Sequence, residues 1–199
     1  MKLFYAATSP YVRKVIACAI ARGVDGRIER MTSGSAEYQT NLLAANPLSK
    51  VPCLITDDGL SLFDSPVICE YLDSIGDARP MFPASGGARW RALKQQALGD
   101  GMMDACLIRR GEVGKPMDAG REDLHAKQAA KVARSLDALE AYVPHKAIDI
   151  GSITIAAALG YLDFRFAAEP WRPGHPVLTA WYDEVMKTPC LAQTAPPPA

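Results

Sequence analysis

Apolar and polar positions fall into recognisable periods from the first residues. Lys2–Tyr5 reads as a short strand. Thr8-Ser9-Pro10 reads as a helix start, with Ser9 as the cap and Pro10 at the first helical position, where a missing N–H costs nothing. Val12, Val15, Ile16, Ala19 and Ile20 then recur at i, i+3, i+4, i+7 and i+8, one apolar face of a helix, and Gly23 ends it. Residues 27–31 alternate weakly and predict a second strand. Residues 37–45 predict a short helix closed by Asn46-Pro47. Residues 53–56 and 61–63 flank Asp57-Asp58-Gly59, the pattern of a β-hairpin. Asp64-Ser65-Pro66 opens the next helix, whose apolar set is Val67, Ile68, Tyr71, Leu72 and Ile75, and Gly76 stops it. The order is β-α-β-α-β-β-α.

Residues 76–88 are rich in Gly, Pro, Ala and Ser and read as a linker. The chain divides on this pattern into 1–77, a linker over 78–87, and 88–199, where every periodic segment is helical. Trp90, Leu93 and Ala97 share one face. Ala129, Val132, Leu136, Leu139 and Val143 keep the 3-4-3-4 spacing of a bundle stripe. Residues 150–162 are apolar nearly all round, which predicts a central buried helix. Asp149 is its expected cap. Ser152, three residues on, completes a capping box in which the reciprocal bond is expected to be weaker than usual. Val177, Leu178, Trp181, Tyr182 and Val185 predict a last helix, and Pro196-Pro197-Pro198 a disordered tail.

Composition narrows the function. With 199 residues and 49% apolar content the chain can bury a substantial core, so disorder is excluded as its general state. Lys plus Arg and Asp plus Glu are 22 each, and the resulting zero net charge argues against a general nucleic-acid binder. No apolar run reaches the roughly 18 residues of a membrane span. The first residues lack the basic-then-apolar pattern of a secretion signal, so a cytoplasmic protein is expected. Five cysteines without C-x-x-C spacing, and three scattered histidines, give no expectation of a disulfide framework or a metal site.

Four segments then carry a resemblance. Thr8-Ser9-Pro10-Tyr11-Val12-Arg13-Lys14-Val15 resembles the strand-to-helix turn of a thioredoxin-like domain. Asn46-Pro47-Leu48-Ser49-Lys50-Val51-Pro52-Cys53-Leu54 resembles the segment that holds that fold's cis-proline. Leu62-Phe63-Asp64-Ser65-Pro66-Val67-Ile68-Cys69-Glu70-Tyr71-Leu72 resembles the third-helix entry of cytosolic glutathione transferases. The run from Ile148 to Arg165 resembles the core helix of the same family. In this order they cover almost the whole chain and identify it as similar to the bacterial-type members. The resemblance implies an α/β thioredoxin-like N-terminal domain plus an all-α C-terminal bundle, a homodimer, and glutathione as co-substrate with no further cofactor.

The chemistry such a site needs follows from acid–base physics. A free thiol ionises near pH 8.5, so glutathione is mostly protonated at neutral pH, and the thiolate is the nucleophile. A helix N-terminus and one hydroxyl donor stabilise that anion. The resemblance implies Ser9 as the donor, with Thr8 as the alternative and Tyr5 behind both; a plain helix cap is the competing role for Ser9. Positions 9 and 12 carry no cysteine, which removes a dithiol oxidoreductase. The resemblance further implies a cis Val51–Pro52 bond that turns the Val51 backbone toward the cysteinyl unit of glutathione. Lys50 then serves the glycyl carboxylate, Ser65 the γ-glutamyl carboxylate, and Asp64 the ammonium group. Many members carry the longer Glu where Asp64 stands. Tyr11, Met103, Cys106 and Arg109, with Met102 and Arg110 beside them, are candidate walls of an acceptor pocket for a small electrophile; a Met cluster at helical spacing also reads as plain core, and the Arg pair as solvated or as able to draw an acidic acceptor. Three functions remain open: a transferase, a non-catalytic or regulatory binding protein, and another glutathione-dependent reaction such as isomerisation, dehalogenation or peroxide reduction.

Overall fold

The computed structural model describes residues 1–32, 34–145 and 147–196. Its N-terminal part is a four-stranded sheet in the order β2-β1-β3-β4. The strands are β1 (Lys2–Tyr5), β2 (Glu29–Thr32), β3 (Cys53–Ile55) and β4 (Ser61–Leu62). β1 and β2 run parallel, and β3 is antiparallel to both β1 and β4. Three helices belong to this part: α1 (Pro10–Ala21), α2 (Ala36–Ala45) and α3 (Ser65–Ile75). The sheet and α1–α3 form the thioredoxin-like half.

Local chemistry accounts for the boundaries. The Ser9 side chain caps α1 and Pro10 opens it, while Gly23 takes a φ of +73° just after the closing Arg22. The second strand lies at Glu29–Thr32 rather than 27–31, because Asp25–Arg27 closes into a 3-10 turn first. The hairpin turns through Gly59 at φ +89°.

Coil over residues 76–85 leads to a helical second half: α4 (Gly86–Gly111), α5 (Ala119–Ala141), α6 (Ile150–Arg165), α7 (Pro176–Val185) and the single-turn α8 (Pro189–Ala192). The short α8 has no periodic run to announce it. Every residue of α6 from Ile150 to Leu162 is buried. Its capping box is complete: Asp149 Oδ1 accepts from the Ser152 N–H and Ser152 Oγ from the Asp149 N–H, both at 2.8 Å. The reciprocal bond is therefore not weakened, since the interchanged Asp and Ser both reach. α4 approaches α6 closely at two glycines. A Cβ on Gly99 would lie 2.8 Å from Thr154 Cγ2, and one on Gly151 would lie 2.8 Å from the Ala92 carbonyl oxygen. That approach turns Ala92, Gln96, Gly99, Met102 and Met103 inward. Trp90 consequently faces solvent, 69% exposed. α1 packs between α3 and α6, so one continuous core joins the two halves. Pro197 and Pro198, part of the expected tail, lie outside the described residues.

Candidate glutathione site

Strand register brings three chain segments to one edge of the sheet. Phe4 stands opposite Cys53, and Leu54 opposite Leu62, both antiparallel. β1 therefore runs out through Ala6–Ser9 at the edge where β3 enters from Val51–Pro52. β4 leaves through Phe63 into Asp64–Ser65 at that same edge. Ser9, Val51, Pro52, Asp64 and Ser65 are thus neighbours in topology although they are spread over more than fifty positions of sequence.

Each segment is held by local bonds. Ser9 is half-buried; its Oγ accepts from the Val12 N–H at 3.3 Å, which leaves its own O–H free to donate. It stands at the positive end of α1. Thr8 is exposed. Tyr5 lies with the Arg30 guanidinium 5.9 Å from its ring centroid. The Val51–Pro52 and Phe63–Asp64 bonds are both cis. Lys50 is exposed. Its loop is set by Asn46, which is 1% exposed, donates from Nδ2 to the Lys50 carbonyl at 2.9 Å and accepts from the Leu48 N–H at 3.0 Å. The sequence marks Asn46 only as a helix stop; its Asn-Pro pairing is the signal of this second job. At the start of α3, Asp64 is exposed and its carboxylate makes no cap bond, while Ser65 is buried with the N-terminus of the helix around it.

The candidates for the acceptor side fare differently. The Tyr11 hydroxyl donates to Asp104. Burial first, and then that carboxylate, push its pKa far above the usual phenol value, so it stays protonated. Met103 is 0% and Cys106 1% exposed, and burial pushes the Cys106 thiol up to about 12. Both are packing residues of the core rather than walls of an open pocket. Arg109 stacks 4.6 Å from the Phe166 ring centroid and pairs with Glu169 at 2.6 Å. The opening beside Ser9 lies between α1, α6 and the C-terminal segment instead, walled by Thr8, Ser9, Arg13, Tyr161, Phe164 and Thr194 among others. Arg13, Tyr161 and Phe164 escaped the sequence reading. Arg13 had one available signal, its place one helical turn past Ser9. Among the described residues no cluster of three or more His, Cys, Asp or Glu could hold a metal ion, and no helix is long and apolar enough to cross a membrane.

A sheet of this order with a capped first helix, a cis-proline opposite it and a helical second half defines a class of protein, and the comparisons agree. The model of the glutathione S-transferase N-terminal domain matches residues 8–75, and that of the glutathione S-transferase C-terminal domain residues 122–184. An uncharacterized GST-like protein of Escherichia coli, YibF, is 35% identical over 100% of both chains. A glutathione transferase family member from Pseudomonas fluorescens, solved with bound glutathione, is 40% identical over 98% of each chain, with a TM-score of 0.89. The Pseudomonas structure with bound S-(propanoic acid)-glutathione is 39% identical, covers 99% of this chain and 100% of its own, and has a TM-score of 0.86. The chain belongs to the glutathione S-transferase family.

Proposed function

We propose that this protein is a glutathione transferase in which Ser9 keeps bound glutathione ionised for attack on a small electrophile. The observation that carries the reading is the shared edge of Ser9, the cis Val51–Pro52 bond and Asp64–Ser65, in a chain of this family. Bound glutathione in the Pseudomonas relative supports the same edge as a tripeptide site.

The roles follow from the chemistry of each group. The Val51 backbone pairs with the cysteinyl unit as a short added strand. Lys50 meets the glycyl carboxylate. Ser65 and the N-terminus of α3 take the γ-glutamyl carboxylate, and the uncapped Asp64 takes the ammonium group. The sulfur then lies at the mouth of α1, where the helix terminus and the Ser9 O–H both favour the anion. Each pKa step gained for the thiol corresponds to about 1.36 kcal/mol, so one good hydrogen bond shifts it usefully toward neutral pH. The sulfur lone pair forms the new S–C bond, the electrophile's bond breaks toward its leaving group or carbonyl, and the thiol proton goes to water. On family grounds the protein works as a cytoplasmic homodimer, in detoxification.

Calorimetric titration with glutathione, followed by conjugation of a chlorodinitrobenzene, tests this. Binding below millimolar concentration with turnover supports it, and no binding at millimolar glutathione overturns it. The tight space beside Ser9 favours one second reading, a glutathione-binding protein without turnover; in that case Ser9→Ala leaves an already negligible rate unchanged.

A further inference from the structure

Arg13 is a buried cation that no anion among the described residues pairs with. It is 7% exposed, and burying a charge costs several kcal/mol unless a partner compensates. Its Nη1 donates to the Ala156 carbonyl at 3.1 Å, its Nη2 faces Met186 Sδ at 3.2 Å, and the Tyr182 hydroxyl lies beside it. Its buried Nε has no hydrogen-bond partner. Among the described residues it forms no ion pair. Asp163, whose field reaches it, is committed to Arg172 and to the Trp171 indole N–H, each at 2.7 Å. A guanidinium stays charged at any ordinary pH, so the positive charge is permanent. Gly160 makes the room: a Cβ there would overlap the guanidinium and come within 2.8 Å of the Tyr182 hydroxyl.

Arg13 and Ser9 wall the same space. Tyr161 and Phe164 of α6 and Thr194 of the C-terminal segment complete it. The space is about 20 Å³ and opens to solvent, room for one small polar group but not for a ring. We propose that this space is the acceptor subsite and that Arg13 selects electrophiles carrying a carboxylate. The inference rests on the reading that Ser9 holds the glutathione sulfur. The carboxylate takes the side of that space beside the guanidinium. The rest of the electrophile stays in the mouth, where the aromatic walls face it and the sulfur reaches its reactive carbon. An anionic nucleophile at the same edge as Asp64 repels an anionic substrate, and the buried cation reverses that sign. Arg109, on the expected acceptor wall, is already paired with Glu169.

A matched pair of aryl chlorides tests the assignment: 4-chloro-3-nitrobenzoate and 4-chloro-3-nitrobenzamide. In both, the thiolate pair forms the C–S bond, chloride leaves with the C–Cl pair, and the thiol proton passes to water. Each kcat/KM is divided by the uncatalysed rate with glutathione. The protein is expected to favour the benzoate by about tenfold, the worth of one charge-assisted hydrogen bond. Arg13→Met should bring that ratio close to one, and Arg13→Lys should keep most of it. Because Arg13→Met removes bonds between the two halves of the molecule, a second measurement uses the unaltered protein: propionate should compete with the benzoate and not with glutathione. Turnover of the amide with no preference for the benzoate overturns this inference alone, as does a preference that survives in Arg13→Met or propionate that fails to compete. Failure to bind glutathione at all overturns the reading beneath it as well.

Discussion

The hydroxyl at position 9 caps α1 and, in the proposed mechanism, also serves the ligand. Its lone pair accepts from the Val12 N–H, and its proton is free for a ligand anion. Ser9→Ala removes both. Loss of the cap should cost about 1 kcal/mol of stability, read as a lower melting temperature. Loss of the donor should cut kcat/KM by roughly 10- to 100-fold and move its pH midpoint up toward the free-thiol value near 8.5. An unchanged pH midpoint would mean that Ser9 is a cap and nothing more. Position 9 was readable because Ser-Pro before an apolar helix is a local pattern, and the same holds for Lys50-Val51-Pro52 and Asp64-Ser65. Arg13 carried only its place one helical turn past Ser9 as a signal, and nothing in the sequence marked it as buried. An arginine on a helix is ordinarily solvated, and only the docking of α6 over α1 buries it.

Elements are tied to one another by a few polar and steric contacts. Lys14 of α1 is wholly buried, with Nζ 2.7 and 3.0 Å from the two carboxylate oxygens of Asp100 on α4. Asp100→Asn leaves that ammonium without a counter-charge, so a loss of about 3 kcal/mol is expected in urea unfolding. A loss below 1 kcal/mol would show that solvent reaches the pair. Gly99 tests the steric contact. Gly99→Ala should destabilise by about 2 kcal/mol, because Thr154 of α6 has nowhere to move, although alanine is the better helix former. The sequence placed α4 but not its inward face. Trp90, Leu93 and Ala97 form the more apolar stripe, yet the glycine at 99 sets which side can approach α6. Close approach decides that orientation, and hydropathy does not record it.

At the scale of the whole molecule, depth of burial sets the alkaline limit. Burial raises the thiols of Cys53 to about 11 and Cys106 to about 12, raises Cys190, and raises the phenols of Tyr11, Tyr161 and Tyr182. In the unfolded chain thiols ionise near pH 8.5 and phenols near 10. Above about pH 8.5 the unfolded state therefore sheds protons that the folded state keeps, so stability is full below that pH and falls as pH rises toward about 12. Melting temperature should decline steadily from about pH 9; a flat profile would show the thiols to be open to solvent. Sedimentation at micromolar concentration should give twice the 21.5 kDa chain mass, and a 21.5 kDa species would exclude the homodimer. The sequence by itself determined the order of the strands and of every helix but α8, the caps at Ser9 and Asp149, and the short motifs at Ser9, Val51–Pro52 and Asp64–Ser65. These depend on interactions within a few residues of one another. Only the tertiary structure decided which helix face is buried, that Met103 and Cys106 belong to the core, and that Arg13 stands charged beside Ser9. Each of those is settled by contacts between segments far apart in the chain, where burial and close approach act and local patterns carry no information.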